Sequence, residues 1–484
     1  MMEESCKTPG ERIMNAATLI DLQIQSKKDQ PALWLPGSGS CSFGDLDQLA
    51  QGIGAVLQRK GLKAGDQVLL FIDLSHLLYG TILALARAGI TAVLVEPWMP
   101  LDRLQHVFNT VEPKAFLAGR LGQLWGMRVP GVRRIKHWIP AKELLSGRAD
   151  PFLTQDLDDD HPCIITFTSG TSGKPKGMVR THGYLRAQHR ALNEALHFNQ
   201  HSGADLCIFA NFALANLADG RCSVVIPARA KDDVLSQLDG LPAHLQPVSS
   251  TCGPAFLLRV MKRAQLKKLQ ALHVGGAQTD CAIFERAFAL WPEAEITHVY
   301  GSTEAEPVAT SDARKAVSWS RERGYFQTLY LGQPWSGLQH KTKDEQLWIS
   351  GPHVCPEYLA DAEANRLHKH KDSDGRLWHR LGDRVEQDAR GWWYQGRDHQ
   401  LAADFTTEQR IYAAIGSSKA FIKRHANGKL AVYVENAAMR LSNIRSVCPD
   451  ATEIYQTIIR RDRRHQARID REASLKGATC IYRG

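Results

Sequence analysis

At 484 residues the chain is too long for one ordinary domain, so two or more domains with a large shared or divided core are expected. Its 43% hydrophobic and 23% charged content is that of a soluble globular protein. A formal charge of +9, from 60 basic against 51 acidic side chains, suits anionic small ligands and does not by itself indicate nucleic acid.

The chain opens with "MMEESCKTPGERIMN", which has no apolar signal region. No run of about 18 apolar residues follows anywhere, so no membrane span is expected and a cytoplasmic protein is. Residues 66–96 then read as strand, helix, strand. "VLLFI" is a short apolar run, Leu77, Leu78, Ile82, Leu83 and Leu85 recur at helical spacing, a glycine ends them, and "TAVLV" follows. Short connections between these elements predict a parallel βαβ unit. The same alternation recurs. "CIITF" (163–167) is followed by a loop and a helix from about Tyr184 to Leu196. "SVVIPA" precedes "DDVLSQLDGL", and "LQALHVGG" precedes "CAIFERAFALW", after which "ITHVYGSTEA" reads as another strand. The predicted class is α/β, a large layered N-terminal domain joined to a small α+β C-terminal domain. Near residue 345 the pattern changes to short aromatic-rich strands, "EQLWISG" and "GWWYQGRD". The boundary is placed near Asp388–Gly391, giving domains of 1–388 and 389–484. The ten cysteines are scattered without a CxxC pair, so reduced and mostly buried thiols are expected.

One loop carries chemistry on its face. "TFTSGTSGKPKGMVRTHG" (166–183) sets Thr168, Ser169, Gly170, Thr171, Ser172, Gly173 and Lys174 between a predicted buried strand and a helix. Glycines let backbone N–H groups turn toward an anion, the hydroxyls add neutral donors, and Lys176 adds charge. A phosphate site is the reading these residues support. It is not a Walker A loop. Only two residues separate Gly170 from Gly173, and Lys174 is followed by Pro175 where that motif needs Ser or Thr.

The loop resembles the signature of the adenylate-forming superfamily, which includes acyl-CoA synthetases, peptide-synthetase adenylation domains and luciferases. Further segments fall in that family's order: "GGA" (275–277), "YGSTEAEP" (300–307), "LWISGPHVCPEY" (347–358) and "HRLGDRVEQDARGWWYQGRDHQL" (379–401). The resemblance implies that ATP and a carboxylic acid give an acyl-adenylate and pyrophosphate. It implies that residues 168–176 hold the β- and γ-phosphates, and that Glu304 holds Mg²⁺ while Thr303 meets the α-phosphate. Tyr300 would stack on adenine, with Gly301 and Ser302 beside it and Gly275, Gly276 and Ala277 on the other side. Asp383 would accept both ribose hydroxyls, Arg397 would be a second ribose or phosphate contact, and Asp388 would be a hinge.

Two departures bear on the second step. The segment "DHQLAADFTTEQRIYAAI" after Arg397 lacks the glycine turn of thioester-forming relatives, and Thr406, Thr407 and Glu408 fill that region. The basic tail "RRDRRHQARIDRE" (460–472) resembles the ending of the β-lactone synthetases of olefin biosynthesis, with Arg468 at the family's lysine position. Arginine keeps the charge but fixes its donors in a fork. These departures favour intramolecular closure of the adenylate. A CoA or carrier-protein thioester is the alternative, and a degenerate nucleotide-binding homologue a third reading. The basic tail alone carries too few aromatics for a nucleic-acid module. The acid itself is expected against Phe209–Gly220, Thr251–Phe256 and Gly275–Thr279.

Overall fold

The computed structural model describes residues 15–95, 99–148, 153–168, 175–227, 230–398, 400–425, 427–436, 440–461 and 469–483. The chain forms two compact units. The first is built from Met1–Arg190, Leu214–Arg221 and Cys355–Leu367, and the second from Ala191–Ala213, Cys222–Val354 and His368–Gly484.

In the first unit, helix Phe43–Arg59 starts from a reciprocal cap. Ser42 Oγ accepts from the Asp45 N–H at 3.0 Å, and the Asp45 carboxylate accepts from the Ser42 N–H at 2.9 Å. Arg87, near-fully buried at the end of helix His76–Arg87, pairs with Asp21 and Asp47 at 2.7 Å each and so ties three helices together. These helices accompany a seven-stranded sheet among the described residues. Its order is Tyr358–Leu359, Lys176–Thr181, Pro162–Thr168, Thr91–Leu94, Gln67–Phe71, Ala115–Ala118 and His137–Pro140. Gln67–Phe71 lies parallel to both its neighbours, as the βαβ reading of 66–96 requires. One strand was not foreseen. The loop after Thr168 returns as Lys176–Thr181, antiparallel to Pro162–Thr168, before helix His182–Leu196 begins. Its sequence, "KGMVRT", has only two apolar residues and no clean alternation, so it reads as a loop exit.

In the second unit, Ser223–Val225, Ala204–Cys207, Pro247–Cys252, Ala271–Gly275 and Glu295–Ser302 are successive parallel neighbours. The sheet then turns antiparallel at Ala305–Asp312, some 40 residues ahead of the composition change near 345. It continues through Tyr330–Pro334, Gly391–Arg397, Leu377–Asp388, Gln346–Ser350 and Gln339–Lys343. Trp392 is buried there with Leu329, Ile349 and Val385, and Trp393 is buried in a separate cluster with Ala316 and Tyr330. The C-terminal α+β region has its own sheet, Ala420–Arg424, Leu430–Val434, Ala451–Gln456 and Thr479–Arg483. Helix Ala402–Ile415 packs Ile411 and Ile415 onto Ile422, Val432 and Ile454, and ends at Gly416 in the left-handed conformation, φ 62°. The architecture is therefore α/β with a small α+β C-terminal region.

Nine cysteines lie among the described residues as free thiols, eight of them buried. Burial pushes Cys41, Cys163 and Cys252 up to about 12, which keeps them protonated and unreactive at neutral pH. Among the described residues no helix is long and apolar enough to cross a membrane.

Buried histidines give the fold an acid limit. His298 is 4% exposed in strand Glu295–Ser302, and its Nδ1–H donates to the Tyr330 carbonyl at 3.2 Å. Burial lowers it from 6.5 to about 4. The unfolded chain therefore takes up this proton first. The stability from neutral His298 is complete above pH 6.5 and declines toward pH 4, by about 1.4 kcal/mol per pH unit. Thermal midpoints should fall through that window, and His298→Gln should show a shallower fall. Equal slopes for the two proteins would refute the assignment.

Candidate active site

Of the phosphate loop, Ser169, Gly170, Thr171, Ser172, Gly173 and Lys174 lie outside the described residues, as does the Thr168 side chain. The feet of the loop are described. Thr168 pairs with Lys176 and Phe167 with Gly177, so the loop closes a hairpin. A Cβ at Gly177 would stand 2.8 Å from the Phe167 ring and 3.2 Å from Leu359 Cβ, so only glycine fits between the two neighbouring strands. Lys176, at the first position of its strand, holds its ammonium 5.0 Å from the centroid of the Tyr358 ring.

The second unit carries the other residues. Ser302 pairs with Ala305, so Thr303 and Glu304 form the two-residue tip of a hairpin, and the Glu304 N–H donates to Ser302 Oγ at 3.2 Å. Behind the tip, Tyr300 Oη donates to Asp383 Oδ2 at 2.6 Å. Asp383 and Arg397 are direct partners across two strands, and Arg397 Nε lies 3.0 Å from Asp383 Oδ1. Asp383 is only 5% exposed, yet Oδ1 accepts no hydrogen bond from the described residues. Burial and then the Asp383 charge hold the Tyr300 phenol well above its ordinary range, so it remains a donor. The Asp383 carboxylate holds Arg397 above its ordinary range, with a smaller contribution from Glu304. Asp383 is thus a buried acceptor, with Tyr300 on Oδ2 and the Arg397 guanidinium against Oδ1.

The glycines leave bare backbone beside this set. A Cβ at Gly275 would come within 2.8 Å of the Val299 carbonyl, while Gly276 has φ +84° with open space above it. Ala277 follows. At Gly301 a Cβ would meet the Ala305 carbonyl at 3.1 Å and Glu306 Cγ at 3.3 Å. Glu306 had no role in the sequence reading. Its Oε2 accepts from Asn211 Nδ2 at 3.4 Å, which sets a carboxylate next to one residue of the expected acid site. The signal for it was faint, a second glutamate two positions past Glu304.

Asp388 closes its turn by accepting from the N–H groups of Arg390 and Gly391 at 2.9 and 3.2 Å. Arg323 also donates to it at 2.7 Å while lying 3.8 Å over the Trp393 ring. The segment after Arg397 is largely helix. Thr406 and Thr407 donate to the carbonyls of Ala402 and Ala403 within it, and Glu408 turns inward to Arg471 at 2.8 Å. Arg468 lies outside the described residues, but its flanks are joined: Arg461 bridges Ile469, and the Asp470 N–H donates to the Arg460 carbonyl at 2.8 Å. Among the described residues no group of three His, Cys, Asp or Glu side chains could hold a metal ion.

The layered fold and these motifs define an adenylate-forming enzyme. The chain belongs to the AMP-binding enzyme family, whose pattern matches residues 20–359. It is 26% identical over 448 residues to the olefin beta-lactone synthetase of Xanthomonas campestris pv. campestris, covering 80% of this chain and 78% of that one. Its fold matches ATP-bound MatB from Rhodopseudomonas palustris with a TM-score of 0.79 at 17% identity, over 95% of this chain and 98% of that one. It matches the anthranilate CoA ligase AuaEII in complex with anthranoyl-AMP with a TM-score of 0.79 at 15% identity, over 96% and 97%.

Proposed function

We propose that the enzyme activates a carboxylic acid with ATP and then lets a nucleophile of the same acid displace AMP. The observation that carries the nucleotide assignment is buried Asp383, a charged acceptor that Tyr300 at Oδ2 and Arg397 at Oδ1 hold in a fixed orientation. A ribose presents two vicinal hydroxyl donors that such a carboxylate can accept.

In the first step an oxygen of the acid attacks the α-phosphorus, the bond to the bridging oxygen breaks, and pyrophosphate leaves with the electron pair. Lys176 and residues 168–174 are assigned to the leaving phosphates, Thr303 to the α-phosphate and Arg468 to the charge shared between acid and phosphate. Glu304, a hard oxygen donor at a hairpin tip, would supply one contact to a Mg²⁺ ion. The ion would neutralise phosphate charge there. Tyr300, Gly301, Ser302 and Gly275–Ala277 are assigned to the adenosine. Residues 389–484 are assigned as a unit that reorients about the Asp388 turn.

In the second step a β-hydroxyl of the acid attacks the acyl carbon, AMP leaves with its oxygen, and the hydroxyl proton passes to solvent. Effective concentration favours this internal attack. The reading is supported by likeness to a protein named olefin beta-lactone synthetase, and by the helix that occupies the segment after Arg397. The free thiols agree with a reducing, cytoplasmic setting.

The test is product mass for 3-hydroxy and unsubstituted acids, with and without CoA. AMP, pyrophosphate and a dehydrated product from 3-hydroxy acids are expected, with little stimulation by CoA. ADP and phosphate would overturn adenylation. A dominant acyl-CoA would overturn closure, and ATP binding without pyrophosphate release would point to a degenerate homologue.

A further inference from the structure

Lys176 is held from the side by a strand far away in the chain. Tyr358–Leu359 pairs antiparallel with Lys176–Thr181, Tyr358 directly opposite Met178 and Leu359 opposite Gly177. Lys176 and Met178 project to the same face of their strand, so Lys176 is the diagonal neighbour of Tyr358. Beyond Leu359 the chain leaves the sheet, because Ala360 adopts a left-handed conformation with φ 49°. The ring, not a directly opposed side chain, is therefore what the lysine stem reaches, with Nζ 5.0 Å from its centroid.

The ring is itself fixed. Tyr358 is 2% exposed and packs with Met178, Tyr184, Cys355 and Ala364. Its backbone is clamped on both sides by Asn365, which accepts from the Tyr358 N–H and donates to its carbonyl, at 2.8 Å each. A rigid aromatic face beside a long flexible cation restricts where that cation can point, and attracts it electrostatically.

We infer that Tyr358 is a positioning residue: its ring restrains the Lys176 ammonium at the start of strand Lys176–Thr181, so that the charge is in place before ATP binds. This rests on the assignment of Lys176 to the leaving phosphates. Preorganised charge lowers the barrier without reorganisation during reaction.

The experiment compares Tyr358→Phe, which keeps the ring, with Tyr358→Leu, which keeps apolar bulk only. Steady-state pyrophosphate release is measured for each, in wild-type and Lys176→Ala backgrounds, with thermal midpoints alongside. Tyr358→Leu should lower kcat by roughly tenfold with the KM for the acid little changed, and Tyr358→Phe should stay within about threefold of the parent. In the Lys176→Ala background the Leu substitution should cost nothing further. Equal losses for Phe and Leu, or an undiminished Leu effect without Lys176, would overturn the inference. Near-normal turnover by Lys176→Ala alone would instead overturn the lysine's assignment, and the inference with it. A merely structural role would lower the midpoint of Tyr358→Leu and leave its effect independent of Lys176.

Discussion

Lys176→Ala and Glu304→Ala should each lower acid-dependent pyrophosphate release by at least ~10²-fold, with thermal midpoints close to the parent protein. The reaction moves negative charge onto a departing pyrophosphate, to which Lys176 is assigned, while Glu304 is assigned, through a cation, to the charge at the α-phosphate. Neither is built into a core. Lys176 is half-buried at the start of a strand, and Glu304 is half-buried at a two-residue hairpin tip. Truncation should therefore remove function and spare folding. Glu304→Gln gives a finer reading, since it keeps size and polarity but loses the charge a hard cation prefers. Initial rates of pyrophosphate release decide the matter. Near-normal turnover in either alanine variant means that residue has been given the wrong role.

The sequence made local features legible and left non-local ones obscure. The βαβ unit of residues 66–96 was readable because each element carries its own periodicity and the connections are short. Lys176–Thr181 was not, because a short strand beside a glycine-rich loop has no period of its own and is defined by its partner across the hairpin. The turn from parallel to antiparallel pairing occurs at Ala305, where only two residues separate the strands, while the change in composition shows near 345. Composition follows burial, and burial does not record strand direction. Among the site residues, Thr303 and Glu304 stand out by motif. Tyr358 does not. It is 182 positions from Lys176, and nothing in "CPEYL" distinguishes a ring that braces a cation from an ordinary core tyrosine. Glu408 was readable only as one of the residues filling the segment without a glycine turn; the helical register turns it inward to Arg471, at 3% exposure.

Asp383→Ala should raise the ATP concentration needed for half-maximal pyrophosphate release by at least ~10²-fold, because hydrogen bonds to a charged acceptor contribute about 1.5–3 kcal/mol each and two are assigned here. The geometry makes Asp383 hard to replace. Its Oδ2 is already engaged by Tyr300 at 2.6 Å, its Oδ1 faces Arg397 at 3.0 Å, and the two strands set Asp383 and Arg397 in direct register. Asp383→Asn keeps the shape but removes the charge opposite Arg397 and replaces one acceptor by a donor. It should lose much of the same affinity, by roughly tenfold or more. The loss must be traced to the ribose and not to a general loosening around Tyr300. ATP lacking both ribose hydroxyls supplies that control. The parent enzyme should discriminate strongly between ATP and the dideoxy analogue, since its acceptor would be left buried and unmet. Asp383→Ala should use the two nucleotides almost equally. If the alanine variant still discriminates as the parent does, the hydroxyls are read elsewhere, and Asp383 serves to hold Tyr300 and Arg397 in place.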